Sequence, residues 1–271
     1  MFLREFYSYV SCPWREKTVF WQFLRREVLG RYRGSLLGMA WAFLMPLLMM
    51  AVYTFVFVGV FKARWPGAEA AGGIAFALRL FAGLIVFNLF SEVIGRAPLL
   101  VLEQPNLVKK VVFPLELLAF VSLGSALFHF CVSAFILLAG MVIFEQSLDW
   151  HVLLLPVMLI PLLPLLLGLA WLLSALGVYL RDIAPVVGLG VSFLMFLSPV
   201  FYSLQSLSSQ WQFWMALNPL TPVIENVRGV IFLNASPDWV AWWMALSVNL
   251  LIVFLGAYIF ALLRKGFADV V

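Results

Sequence analysis

Six stretches of the chain are continuously apolar over about the length that crosses a bilayer, and short polar or turn-forming segments separate them. They cover residues 36–60, 74–95, 115–144, 152–178, 184–203 and 240–263. A helix needs about 20 predominantly apolar residues to traverse the hydrocarbon layer, so the pattern predicts six transmembrane helices. Ahead of the first lies VFWQFLRREVLGRYR, residues 19–33. There Phe20, Phe23, Leu24 and Val28 recur at three- and four-residue spacing, interrupted by Glu27, while Gln22, Arg25, Arg26 and Arg33 seek water or headgroups. Two faces with opposite solvent preference predict an amphipathic helix lying in the membrane interface.

Proline and charge positions refine the spans. Pro46 fits inside a membrane helix where neighbours satisfy the freed carbonyl, and Gly34, Gly38 and Ala42 suggest a small-residue packing face. The bend KARWPGAEAAGG ends that span. Arg79 and Glu92 stand near opposite ends of the second span, where each can snorkel to its own interface. GRAPLLVLEQPNLVKKVVFP reads as a connection with short helical pieces, and Glu116 opens the third span. Pro156, Pro161 and Pro164 forbid a straight first half of the fourth span. Asp149 and His151 read as a polar cap at its outer boundary.

Residues 211–235, WQFWMALNPLTPVIENVRGVIFLNA, break the hydropathy pattern. Asn218, Pro219, Pro222, Glu225, Asn226 and Arg228 crowd their centre. A lipid-exposed spanning helix would bury those groups and interrupt its own backbone bonding. Two short helical arms around a proline turn, re-entrant or packed on the outer surface, are expected instead. The other reading is a seventh span with its polar residues facing the protein interior.

Composition agrees with the pattern. Hydrophobic residues make up 65% of the 271 and charged ones only 11%, against about a quarter in soluble domains. A soluble enzyme, a disulfide scaffold and a disordered chain are excluded. The formal net charge of +4 matters less than its placement. Arg4, Arg15, Lys17, Arg25, Arg26, Arg31 and Arg33 precede the first span, Lys109, Lys110 and Arg181 fall in connections, and Arg264 and Lys265 follow the last span. Six spans put all of these on one side with both termini cytoplasmic, as the positive-inside rule requires. A seventh would separate the termini. The basic clusters suit anionic membrane lipids, and no nucleic-acid partner is expected.

Catalytic chemistry has little to build on. Cys12 and Cys131 are the only cysteines and His129 and His151 the only histidines, so neither a disulfide nor a metal centre is expected. The first residues lack the features of a cleaved signal peptide. Neither a nucleophile elbow, a zinc-protease motif nor a phosphate loop is visible. An ion-coupled secondary transporter, a membrane enzyme acting on lipid-linked sugars and an unpartnered channel remain as other classes of reading. Aromatic residues reach 16%, which mostly serves lipid-facing packing and interfacial belts. Trp211, Phe213 and Trp214 could also offer stacking faces to a sugar.

In order and spacing, FLRREVLGRYRGSLLGMAWAFLMP, PNLVKKVVFPLELL, VYLRDI, LSPVFYS, NPLTPVIENVRGVIF and RKGFADVV resemble the membrane subunit of ABC-2-type polysaccharide exporters, the O-antigen and capsule permeases. The resemblance covers nearly the whole chain. It implies an all-α integral membrane protein of six transmembrane helices, with an N-terminal amphipathic interface helix and a re-entrant helical element before the last span. Residues 1–35 would be the leader and interface helix, 36–264 the six-span domain and 265–271 a cytoplasmic tail.

The resemblance further implies a bacterial inner-membrane permease with both termini cytoplasmic, paired with a second copy of itself and two copies of a separate ATPase. ATP and magnesium belong to that ATPase and no cofactor to this chain. The expected cargo is lipid-linked O-antigen polysaccharide, with capsular polysaccharide or teichoic acid as alternatives. Arg25, Arg26, Glu27, Arg31 and Arg33 match the family's interface helix, as ATPase-coupling or headgroup-contact residues. Asn106, Lys109 and Lys110 match a second cytoplasmic contact region, and Arg181 and Asp182 a third. Trp211, Phe213, Trp214, Asn218, Pro219, Glu225 and Arg228 match the outer element near glycan exit. Each group has a plainer role available: topology for the arginines and lysines, capping for Arg181 and Asp182, and a helix ion pair for Glu225 and Arg228.

Overall fold

The computed structural model describes residues 2–62, 65, 72–109, 113–144, 149–233 and 235–270; Arg64, Pro66, Lys110 and Glu145 lie outside the described residues. Among the described residues every regular element is helical and none is a strand. The principal helices are α1 (Phe2–Val10), α2 (Lys17–Gly30), α3 (Trp41–Thr54), α4 (Gly72–Arg96) and α5 (Leu117–Phe144). After them come α6 (Leu162–Tyr179), α7 (Ile183–Phe196), α8 (Ser209–Ala216), α9 (Thr221–Arg228) and α10 (Trp239–Leu263). Five helical stretches are long and apolar enough to cross a bilayer: Gly38–Val60, Gly73–Leu99, Leu117–Phe144, Trp150–Tyr179 and Trp239–Val270.

The fifth apolar segment departs from expectation. Helix α7 has 14 residues, about 21 Å at 1.5 Å per residue, short of a hydrocarbon layer of about 30 Å. It stops before Pro199, which has no N–H to continue the ladder. Ser198 Oγ bonds back to the Leu194 carbonyl at 2.6 Å, and residues 197–203 continue as turns and bends.

The start of the first span also differs. Gly34 and Gly38 are not a helical packing face: their φ angles are +82° and +52°, and a Cβ on either would meet nothing within 4 Å. Glycine is needed there for the left-handed backbone that side chains disfavour. The pair forms a loose joint between the amphipathic helix α2 and span helix α3.

The fourth span breaks where its prolines require. Short helical turns at Trp150–Leu154 and Leu155–Leu159 precede the interruption at Ile160–Pro161, and α6 follows. Pro161 cannot supply the N–H that the Val157 carbonyl would receive in a continuous helix. Trp242 Nε1 donates to that carbonyl at 2.9 Å, alongside the Ile160 N–H at 3.2 Å, and Asn249 Nδ2 donates to the Pro161 carbonyl at 2.7 Å. Helix α10 thus repairs the break in its neighbour. Replacing Trp242 by Phe should lower stability by about 1 kcal/mol, the net worth of one such bond. A thermal melt in detergent checks this, with exposed Trp243→Phe as the control expected to melt like the parent.

The spans alternate between two ends. At the basic end, Arg264 pairs with Glu116 at 2.7 Å and the Tyr179 hydroxyl donates to the Leu263 carbonyl at 2.8 Å. The N-terminal segment reaches the same end, because Arg96 at the foot of α4 pairs with Glu27 of α2. Tyr9 also packs on Trp171 and Phe260. Helix α7 starts there, against residues 97–99, and finishes at the opposite end, where α8 and α9 lie. The first and last described helices therefore share one end of the bundle. Helix α4 is the central post, buried nearly throughout, whereas α7 has no buried residue.

Candidate functional site

The polar groups concentrate at the two ends. At the basic end, the segment leaving α2 meets α4 and α5 in a charged cluster. Helix α2 packs its apolar stripe on α5 through Phe20 and Leu24, which sit against Gly124, and on the segment before α5 through Phe23, whose ring lies 4.9 Å from that of Phe113. That packing brings the next two turns over Glu92 and His129. Arg31 Nη1 lies 2.8 Å from Glu92 Oε1, His129 Nδ1 lies 2.9 Å from the same oxygen, and the Tyr32 hydroxyl lies 3.0 Å from His129 Nε2. One turn away Arg96 pairs with Glu27 and approaches Glu103 at 3.6 Å.

The proton positions follow from this geometry. Burial pushes the Tyr32 hydroxyl above its ordinary range, so it stays protonated and donates to Nε2. His129 then carries its proton on Nδ1 and donates it to Glu92. Glu92 accepts from Arg31 and His129 together, and the 3.1 Å approach of Arg31 to Nδ1 brings together two donors sharing one acceptor. Buried polar groups need such mutual satisfaction, and this cluster provides it without an outside ligand.

Beside the cluster lies a cleft of about 670 Å³ between α3, α4 and α5. Arg31, Tyr32, Ser35 and Glu92 sit at its polar mouth, while buried Ala126 and Phe130 line its apolar side.

The opposite end is organised around Arg228, which is almost fully buried. Its Nε donates to the Arg79 carbonyl at 3.0 Å, and its terminal nitrogens donate to the carbonyls of Pro199 and Val200 and to Glu225 Oε1. The guanidinium also lies over the Trp65 ring at 4.5 Å. Gly83 leaves room for it, since a Cβ there would come within 2.5 Å of Nη2. Asn218 Nδ2 bonds the Leu197 carbonyl and Ser198 Oγ, tying the turn between α8 and α9 to the end of α7. Asp149 accepts from the Trp150 N–H and pairs with His151 at 2.7 Å, a polar cap as expected.

The sequence-predicted residues fall into three sets. Arg25, Arg26, Arg33, Asn106, Lys109, Arg181 and Asp182 are exposed, on helices and turns of the basic end. Arg26 lies over the Phe23 ring at 4.4 Å. Glu27 and Arg31 instead pair with the span helices. Lys110 lies outside the described residues. At the other end Trp211, Phe213 and Trp214 are exposed on α8, Asn218 and Pro219 form the turn, and Glu225 and Arg228 face inward as an ion pair. Sequence reading missed Glu92 as a partner of Arg31, expecting it to snorkel, and gave His129 no role. A histidine and a glutamate in different apolar spans were the available signal, but only the fold shows that they meet.

A family model, described as ABC-2 type transporter, matches residues 18–232. The chain belongs to the ABC-2 type transporter family. Among its ABC-2 relatives, the O-antigen export system permease protein RfbA of Myxococcus xanthus is 29% identical over 248 residues, 91% of this chain and 92% of that protein. The protein of the same name from Klebsiella pneumoniae is 22% identical over 247 residues, covering 90% and 92%. The ABC-2 match starts within α2 and ends just after α9, so it contains both polar clusters.

Proposed function

We propose that this chain is the membrane permease subunit of an ATP-driven exporter that moves lipid-linked O-antigen polysaccharide across the inner membrane. The observation that carries the reading is the end-to-end similarity to permeases named for O-antigen export, over about nine-tenths of both chains. Two copies of the permease would pair with two copies of a separate ATPase, which supplies ATP and magnesium chemistry. The basic end would face the cytoplasm. The shared end of the two termini supports six crossings, with α7 and the bends after it as the fifth, because five would part the termini. Helices α8 and α9 would form a partial insertion near the outer face.

In this arrangement exposed Arg25, Arg26, Asn106, Lys109, Arg181 and Asp182 form the surface that receives the ATPase, and α2 transmits its movement. The exposed rings of Trp211, Phe213 and Trp214 offer sugars stacking faces without a tight charged trap. Deleting the gene should abolish surface O-antigen and leave lipid-linked glycan inside the cell. Unchanged surface glycan would overturn the reading, and co-purification of an ATPase tests the partner. Replacing Arg25 and Arg26 together should impair transport-coupled ATP turnover while membrane insertion persists. Replacing Trp211 and Trp214 should reduce glycan export more than ATPase association. Normal export by both double variants would remove those assignments.

A further inference from the structure

The charged cluster and the paired glycines belong to one mechanical unit. The arm that follows α2 crosses the mouth of the cleft and is bonded to two different spans, to α4 through Glu92 and to α5 through His129. Glu27, on α2 just before the arm, is bonded to Arg96 one turn further along α4. Directly beyond these bonds the chain passes Gly34 and Gly38, both in left-handed backbone with free space around them. Helix α3, on the far side of that joint, has Ala42 as its one buried residue and forms one wall of the cleft. The arm is therefore held by polar contacts, where apolar interlocking would have fixed it, and it adjoins a joint able to turn.

We propose that Glu92 and His129 are positioning residues that latch the arm across the cleft, and that releasing Arg31 and Tyr32 lets the arm turn about Gly34 and Gly38 and uncovers the cleft. The inference deepens the exporter reading by identifying what α2 would pull against, and it rests on that reading only for its use in transport. Both contacts exchange one satisfied arrangement for hydration at the cleft mouth, which keeps the cost of release within reach of a binding partner. A close-packed apolar contact would lose its attraction without replacement.

The test uses the full chain in lipid nanodiscs and a water-soluble maleimide. Exposed Cys131 is replaced by Ser, and Cys12 is buried, its thiol pushed up to about 12 mainly by burial and so unreactive. Ala126→Cys then reports access to the cleft wall, because Ala126 lines the cleft and is buried. Glu92→Gln and His129→Phe should each label several-fold faster than the parent. Tyr32→Phe, which removes one hydroxyl, should give a smaller increase and guards against misfolding of the others. The exchange Arg31→Glu with Glu92→Arg should return labelling towards the parental rate, which a general loosening of structure would not do. Equal labelling of the parent, Tyr32→Phe and Glu92→Gln would overturn the latch. Because labelling needs neither ATPase nor glycan, that failure is distinct from failure of the exporter reading, which the gene deletion detects.

Discussion

Replacing Arg228 by Leu is expected to destabilise the protein by about 3–5 kcal/mol, the range found when one member of a buried charged pair is removed. The guanidinium gathers the carbonyls of Arg79, Pro199 and Val200 around one buried point and neutralises Glu225. Leucine leaves those acceptors facing apolar surroundings, each with its own desolvation penalty. Lysine should recover only part of the loss, because a single ammonium cannot reproduce the planar fork that reaches several acceptors. Thermal melting in detergent, with the yield of monodisperse protein, measures both variants. A melt within a degree or two of the parent for Arg228→Leu would show that the carbonyls find other donors. Since Arg228 holds the end of α7 to α4 and α9, its variants should also lose export without loss of the α8 aromatics.

The second large effect is expected from Gly256→Val. Helices α6 and α10 cross with their backbones nearly touching. A Cβ at Gly256 would fall 2.0 Å from the Gly168 carbonyl oxygen, and a Cβ at Gly168 would fall 2.6 Å from Val253 Cα. Both obstacles are backbone, so no side-chain rotation relieves them. Overpacking ordinarily costs about 1–3 kcal/mol, and the cost should lie at or above the top of that range. Small residues at such crossings let membrane helices gain close van der Waals contact where lipid supplies no hydrophobic drive. The separation of α6 and α10 would also weaken the Trp242 and Asn249 bonds that repair the proline break, so the loss should be cooperative. A Gly188→Val control in α7, where a Cβ meets nothing within 4 Å, should melt close to the parent. Equal melting of the two variants would refute the close crossing.

Much of this architecture is legible in the sequence because lipid constrains it severely. A spanning backbone must satisfy its own hydrogen bonds, so long apolar runs imply helices and prolines mark where a neighbour must help. The break at Pro161 and the two short helices around Asn218 and Pro219 follow from that rule. The fifth run misled for a related reason: hydropathy treats Ser198, Pro199 and Val200 as tolerable in a span, whereas the backbone ends its helix there. Gly34 and Gly38 misled because four-residue spacing suggests a packing face only if the segment is helical, and both lie in left-handed backbone. Glu225 and Arg228 were legible as a pair from spacing, but the three carbonyls that Arg228 also serves were not.

Sequence by itself determined the membrane class, the number and approximate limits of the apolar runs, the basic clustering and the interrupted character of residues 211–235. These depend on the composition of contiguous segments and on solvent preference, which are local properties. Tertiary structure alone decided that Glu92 and His129 hold Arg31 and Tyr32, that α10 repairs α6, and that Gly168 and Gly256 touch. Those facts depend on which helix faces which, and at what rotation. Almost every face of every span is apolar, so periodicity carries no signal to select the partner, and the choice is left to shape and to a few polar side chains far apart in the chain.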